Sequence, residues 1–234
     1  MNFKNSGKLK AVTFSYDDGV TQDIRLIELL NKYNLKCTFN LNSERMGWNG
    51  ITTPFNKRIS HYRINSNDIK DIYSGHEIAV HTLTHPNLTQ CDEAEIIRQV
   101  EKDRLNLSEL ACYEVVGMAY PCGGVNNDDR VAEIIKNNTG VKYSRTITSN
   151  ESFEPQANLY RFNPSVYHCN FGKMMELGKQ FAELETETPK IFYIWGHSYE
   201  MDLENDNWLK LEEFFKLISQ RDDIFYGTNK EILL

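Results

Sequence analysis

Apolar positions along this chain alternate between two rhythms. Residues 10–16 (KAVTFSY) and 35–42 (LKCTFNLN) are short and rich in β-branched and aromatic side chains, which predicts strands. Between them, residues 21–33 place Ile24, Ile27, Leu29 and Leu30 at helical spacing, with Thr21 or Asp23 as the cap. Residues 43–65 are polar with scattered aromatics and predict a long loop. Residues 66–73 predict a short helix closed by Gly75. Further strands are expected at 76–81, 114–120, 142–146, 160–166, 190–195 and 224–227. Helices are expected at 92–110, 127–138, 171–184 and 208–219.

Strand followed by helix, repeated, predicts a mainly parallel α/β sheet. Roughly seven or eight such units in one domain, residues 1–234, favour a (β/α) barrel over an open sheet. In barrels the reactive groups gather at the C-terminal ends of the strands. Asp17, Asp18, His81, His85, residues 120–122 and His197 all end or follow predicted strands, so they are expected to meet.

Composition narrows the partners. The formal net charge is −7, which argues against nucleic acid and anionic membrane. Five scattered cysteines with no C-x-x-C pair read as reduced thiols rather than a disulfide framework. Residues 1–10 are polar and basic, without the apolar core of a signal peptide. No stretch approaches the ~20 apolar residues of a membrane span. A cytoplasmic protein is expected, although a chain trimmed of its export signal would read the same.

The candidate chemistry lies in three places. Asp17-Asp18-Gly19 ends a strand, where the two carboxylates can diverge towards one site; taken alone, Asp-Asp-Gly reads more readily as turn chemistry. His81 and His85 are spaced i, i+4. A helical turn after the strand would aim both rings at one metal, and two rings on a surface turn is the plainer alternative. His197, in Trp195-Gly196-His197, ends a later strand and is a candidate acid. Two carboxylates and two imidazoles suffice to hold one divalent metal and leave a carboxylate as base, the kit for metal-assisted acyl hydrolysis. Cys122 as a thiol nucleophile lacks a paired base motif.

These motifs resemble the polysaccharide deacetylases (the NodB-homology domain, carbohydrate esterase family four). Val12-Thr-Phe-Ser-Tyr-Asp-Asp-Gly19 is similar to the family's T-F-D-D-G with Ser15 and Tyr16 inserted. Gly75-His-Glu-Ile-Ala-Val-His-Thr-Leu-Thr-His85 is similar to its G-H-E-I-x-x-H-[ST]-x-x-H. The resemblance implies a distorted (β/α) barrel of about seven strands. It implies Asp18, His81 and His85 as metal ligands, most often for zinc, with cobalt, nickel and manganese as alternatives. It further implies Asp17 as base and His197 as acid, with Glu200 a guess for the group that keeps His197 protonated. The third motif departs, reading Ala119-Tyr-Pro-Cys-Gly123 where the family often reads R-P-P-Y-G. The oxyanion donor then falls on the Cys122 backbone N–H. Ala119 replaces the arginine that orients the base, and Arg145 could reach in instead. The Asp-Trp motif is missing, so the acetyl pocket would be walled by Trp195 or Phe162. Tyr120 and Trp48 are expected to touch substrate, with Tyr62 an alternative in the loop. The implied substrate is an acetylated mono- or oligosaccharide, in a divergent subgroup. A small amide or cyclic ureide, or non-catalytic sugar binding, are the other readings.

Overall fold

Strand β1 (Lys10–Asp17) runs through the middle of a parallel sheet, with every residue buried. The computed structural model describes Phe3 and residues 6–234, so part of the polar start at residues 1–10 lies outside the described residues. Helix α1 (Asp23–Lys32) leads to β2 (Cys37–Leu41), then to a hairpin of β3 (Asn49–Thr52) and β4 (Ile59–Tyr62). Helix α2 (Ile69–Ile72) precedes β5 (Glu77–Val80). Helices α3 (Glu93–Ile97) and α4 (Asp103–Ala111) are joined through a π-helical turn at Arg98–Lys102 and lead to β6 (Gly117–Ala119). The rest comprises α5 (Asp129–Asn138), β7 (Tyr143–Arg145), β8 (Val166–Tyr167), α6 (Phe171–Glu183), β9 (Lys190–Gly196), α7 (Asn207–Ile218), β10 (Ile224–Tyr226) and α8 (Asn229–Leu233).

The strand order is β7-β6-β5-β2-β1-β9-β8, and each neighbouring pair is parallel. One edge of β1 is covered by β9. The other is divided, with β10 beside Lys10–Val12 and β2 beside Phe14–Asp17. The sheet curls until its ends nearly meet. Phe162 N donates to Ser144 O on β7 at 2.9 Å, and Ser165 N donates to Tyr193 O on β9 at 2.8 Å. This is the distorted barrel that the strand pattern and the family resemblance imply.

Side-chain alternation along β1 and β9 sorts the core. Val12, Phe14, Phe192 and Ile194 point outward and pack with Phe214 and Phe215 of α7. The opposite parity, Thr13, Ser15 and Asp17, points into the barrel. That interior is polar and hydrogen-bonded: Thr13 Oγ1 donates to Asn229 Oδ1 at 2.8 Å, and Thr38 Oγ1 and Tyr143 Oη donate to Glu77 at 2.7 and 2.8 Å. Parity therefore delivers Asp17 to the barrel mouth.

Several boundaries differ from expectation. The 43–65 loop contains the β3–β4 hairpin, tied to the chain after Asp18 by Ile64 N donating to Gly19 O at 2.9 Å and Thr21 N to Tyr62 O at 2.8 Å. The strand expected at 160–166 is a single bridge at Phe162 followed by β8, because a 3₁₀ turn at Leu159–Arg161 consumes its start. The strand expected at 114–120 shrinks to β6, and 66–73 becomes a 3₁₀ turn plus α2. Neither Thr21 nor Asp23 caps α1. The N-cap is Gln22, with no side-chain bond, and Asp23 turns inward to accept from Ser198 Oγ at 2.5 Å and Tyr73 Oη at 2.7 Å. Among the described residues no helix is long and apolar enough to cross a membrane.

Burial pushes the Asp23 carboxyl up to about 7. The unfolded chain gives up the same proton near pH 4. Folded protein therefore holds the extra proton between about pH 4 and 7, and this group's contribution falls as pH rises through that window. Tyr73 and Ser198 hydroxyls can rotate to suit an amide. Asp23→Asn should thus gain on the wild type by on the order of 1–3 kcal/mol between pH 5 and 7.5 in urea unfolding. Parallel pH profiles for the two proteins would contradict this.

Candidate active site

Asp17 sits at the mouth with three hydrogen bonds on its carboxylate, which leaves one lone pair of Oδ2 free. Its register partner Asn40 donates Nδ2 to Oδ1 at 2.8 Å. Arg145, the last residue of β7 and fully buried, donates Nη2 to both carboxylate oxygens at 2.5 Å. Arg145 is held in turn by Ser15 Oγ at 3.2 Å and by the Trp195 ring, 4.7 Å from guanidinium carbon to ring centroid. Burial alone would raise the Asp17 carboxyl, but the Arg145 guanidinium outweighs it and holds the group below its ordinary value.

Asp18 diverges because its backbone is left-handed, with φ of 87°. Gly19 follows at φ 65°, and a Cβ there would stand 2.7 Å from Leu41 Cδ2. Two residues of the hairpin strand and its exit meet the Asp18 carboxylate. His61 Nε2 donates to Oδ2 at 3.1 Å, and Arg63 Nη2 donates to Oδ1 at 3.0 Å. Arg63 Nη1 also donates to the Asp18 main-chain oxygen and, at 2.9 Å, to Asn42 Oδ1. Burial works to raise this carboxyl too; Arg63 and the His61 bond override it and hold it well below the usual carboxylate range.

His81 and His85 come together without a helical turn. The residues between them form a loop with left-handed backbone at Thr82 (φ 68°) and His85 (φ 64°). Two neighbours and one internal bond hold that loop. Asn42 Nδ2 donates to the carbonyls of His81 and Thr82, His85 N donates to Thr82 Oγ1 at 3.1 Å, and Leu83 N donates to Gln99 O at 3.0 Å. Gln99 lies in the π-helical turn, where the helix's own bonding pattern is interrupted. Its side chain adds bonds to Thr84 N and Oγ1 at 3.0 and 2.8 Å.

The donor set suits a divalent cation. One ligand atom each from Asp18, His81 and His85 lie within 4.8 Å of one another. His81 Nδ1 donates to Ala119 O at 2.9 Å, which leaves its Nε2 lone pair facing Asp18. Burial lowers both imidazoles, His85 to about 4, so both are neutral and able to ligate near pH 7. Asp18 Oδ1 keeps a second lone pair beside the one Arg63 uses.

His197 is the positively charged partner. Its ring would be lowered by burial, but Glu200 raises it to about 9. Nδ1 lies 3.2 Å from Glu200 Oε2 as an ion pair rather than an aligned hydrogen bond. Glu200 also accepts from the His197 main-chain N at 3.1 Å, from His168 Nε2 at 2.7 Å and from Tyr167 Oη. Tyr16 Oη closes the network on His168 Nδ1 at 3.0 Å.

Asp17, Asp18, His61, Arg63, His81, His85 and His197 line one cavity of about 370 Å³, together with Arg45, Tyr120, Cys122 and Trp195. The Cys122 N–H meets no acceptor among the described residues, while the neighbouring Tyr120 N is taken by Arg145 O at 3.0 Å. Burial pushes the Cys122 thiol up, so it is not a thiolate. Other expected residues stand elsewhere. Phe162 is buried against Tyr193 and walls no part of the cavity. Tyr120 is part of the wall, but its hydroxyl is committed to Tyr160 O at 2.8 Å. Trp48 is half exposed on the hairpin, its ring edge-on to His61, and Tyr62 lies on the hairpin's outer face.

Residues 4–143 match the profile of the family described as polysaccharide deacetylase, more than half of the chain. The chain belongs to that family. Among solved structures it is similar to a family four carbohydrate esterase from Streptomyces lividans in complex with acetate (11% identity over 90% of this chain and 88% of that one, TM-score 0.54). The peptidoglycan deacetylase PdaC of Bacillus subtilis shares 14% identity over 95% and 89%, with a TM-score of 0.55. A family four pseudoenzyme from Bacillus anthracis, BA3943, shares 19% over 96% and 66%, with a TM-score of 0.56. At such identities these likenesses speak for the fold alone. No curated protein matches the chain.

Ala119 and Arg145 are register partners on β6 and β7, so Arg145 reaches the Asp17 carboxylate from the strand beside position 119, across a side chain too small to obstruct it. His61 and Arg63 escaped the sequence reading. They are spaced i, i+2, which places them on one face as soon as residues 59–62 are read as strand.

Two consequences can be measured. Arg145→Met leaves Asp17 charged and buried without its partner, which should cost ~3–5 kcal/mol in denaturant unfolding. Adding Asp17→Asn should recover much of that loss; strictly additive effects would mean the pair is not coupled. Because His197 is raised, the Glu200 pairing contributes fully below the unfolded value near 6.5 and is lost as pH climbs through about 9. Glu200→Gln should therefore drop the His197 ring titration by more than about one unit, read by NMR. An unmoved titration would assign its charge to another group.

Proposed function

We propose that this chain is a metal-dependent hydrolase that removes acetyl groups from an N- or O-acetylated carbohydrate. One observation carries the reading. An ionised carboxylate, a neutral two-histidine, one-carboxylate donor set and a protonated imidazole line the same cavity. A divalent cation held by Asp18, His81 and His85, zinc before cobalt, nickel or manganese, would polarise the acyl carbonyl and acidify a water molecule.

The chain's own residues supply the rest. Asp17, oriented by Arg145 and Asn40, accepts the proton of the attacking water. The free Cys122 N–H faces the oxygen on which negative charge develops. His197 hands its proton to the departing nitrogen or oxygen, with Glu200 keeping it charged beforehand. Trp195, fixed between Arg145 and Tyr167, walls the acetyl methyl. Tyr120 shapes the cavity by its ring, and the half-exposed Trp48 ring on the hairpin is offered for stacking on a sugar. A cavity of about 370 Å³ is near the lower end for ligand sites and favours one sugar unit over a long polymer run.

The test is acetate release from acetylated mono- and oligosaccharides by protein stripped with chelator and then reloaded with zinc. Release should appear only after reloading. Asp17→Asn should keep the ion and lose ~10²–10⁴-fold in turnover, while His81→Ala should lose the ion. Full activity in the stripped protein, or in Asp17→Asn, would sink the proposal. Tight zinc binding without release from any sugar would turn attention to a non-sugar amide.

A further inference from the structure

Each of the chain's own charges at the cavity faces an opposite partner, with one exception among the described residues. Asp17 faces Arg145, Asp18 faces Arg63, and Glu200 faces His197. Arg45 lines the same cavity and makes no ion pair among the described residues. It ends the 3₁₀ turn Ser43–Arg45 just after β2, and it is only partly exposed. Its Nε donates to Thr84 O at 2.9 Å. That bond fixes the plane of the guanidinium beside the His85 and Cys122 wall. The two terminal nitrogens have no acceptor among the described residues.

A structural role would need only the Nε bond, which a neutral donor could make. Surface solvation would explain a guanidinium pointing away from the cavity, and this one helps to wall it. The chain as a whole carries −7, so a lone cation at this mouth is a local reversal of sign. A guanidinium anchored at one nitrogen, with two parallel N–H groups free, matches the geometry of a carboxylate or phosphate.

We infer that Arg45 forms an anion subsite, and that the acetylated sugar taken by this cavity carries a carboxylate or phosphate group. The sugar part of this inference rests on the deacetylase reading. The anion part does not.

Calorimetric titration of zinc-loaded protein separates them. The probes are N-acetylglucosamine, its 6-phosphate and N-acetylmuramic acid, with acetate release followed in parallel. Wild type should bind at least one charged probe ~10–100-fold more tightly than the neutral sugar. Whichever charged probe wins names phosphate or carboxylate as the source. Arg45→Met should erase that ratio, and Arg45→Lys should retain part of it. Arg45→Gln, which keeps a donor for Thr84 O, should erase the ratio as well and guards against a folding defect in the first variant. The inference is overturned if wild type shows no charge preference, or if the preference survives in Arg45→Met and Arg45→Gln, which would put the anion on the zinc. Charge-selective binding without acetate release keeps the subsite and removes the deacetylase reading. Acetate release without charge preference does the reverse.

Discussion

Two adjacent carboxylates buried at one barrel mouth are the constraint on which the rest of this structure depends. Each would be driven to protonate by burial, and each is kept ionised by its own buried arginine. Neither arginine lies in the segments that carry the motifs. Arg145 comes from the end of β7, and Arg63 from the exit of a hairpin that reaches over the mouth. The curl of the sheet brings the first close, and the backbone bonds from residues 62–64 to Gly19–Thr21 bring the second. Fold and site therefore share their stabilising contacts. The same logic recurs at Glu200, a buried acid that gathers His197, His168 and Tyr167 around one charge.

Much of this was legible in the chain because it follows from period and position. β-rich runs alternating with helical spacing announce the parallel sheet, and strand ends announce where reactive groups collect. Asp17, Asp18, His81, His85 and His197 could be placed at one mouth on that argument alone. The contacts that fix them could not. Thr82 and His85 adopt left-handed backbone, which their residue types disfavour. The strain is borne by Asn42 and by a π-helical turn with no sequence signal. The hairpin was hidden because its outer face, with Ile51 and Tyr62, is exposed. Its inner face pairs buried Ile59 and His61 with Gly50 and Thr52, so apolar residues fall on both faces and no alternation marks the strands.

The arginine on Asp17 shows what such a site asks of its surroundings. Position 145 lies beside position 119 in the ladder, and from 145 the long side chain reaches the Asp17 carboxylate. What physics demands is a guanidinium within hydrogen-bonding distance of Asp17, backed by an aromatic face and a hydroxyl. It does not demand a particular strand.

Arg63 has a last consequence. It bonds to Oδ1 of Asp18, the same oxygen that lies 3.7 and 3.9 Å from the His85 and His81 ring nitrogens. Arg63 thus balances Asp18 without any metal, and both imidazoles are neutral, so the scaffold's own charge balance does not depend on an ion. A divalent ion held there would bring its full double charge to the mouth, to be offset by anionic ligands such as a hydroxide or a substrate oxygen.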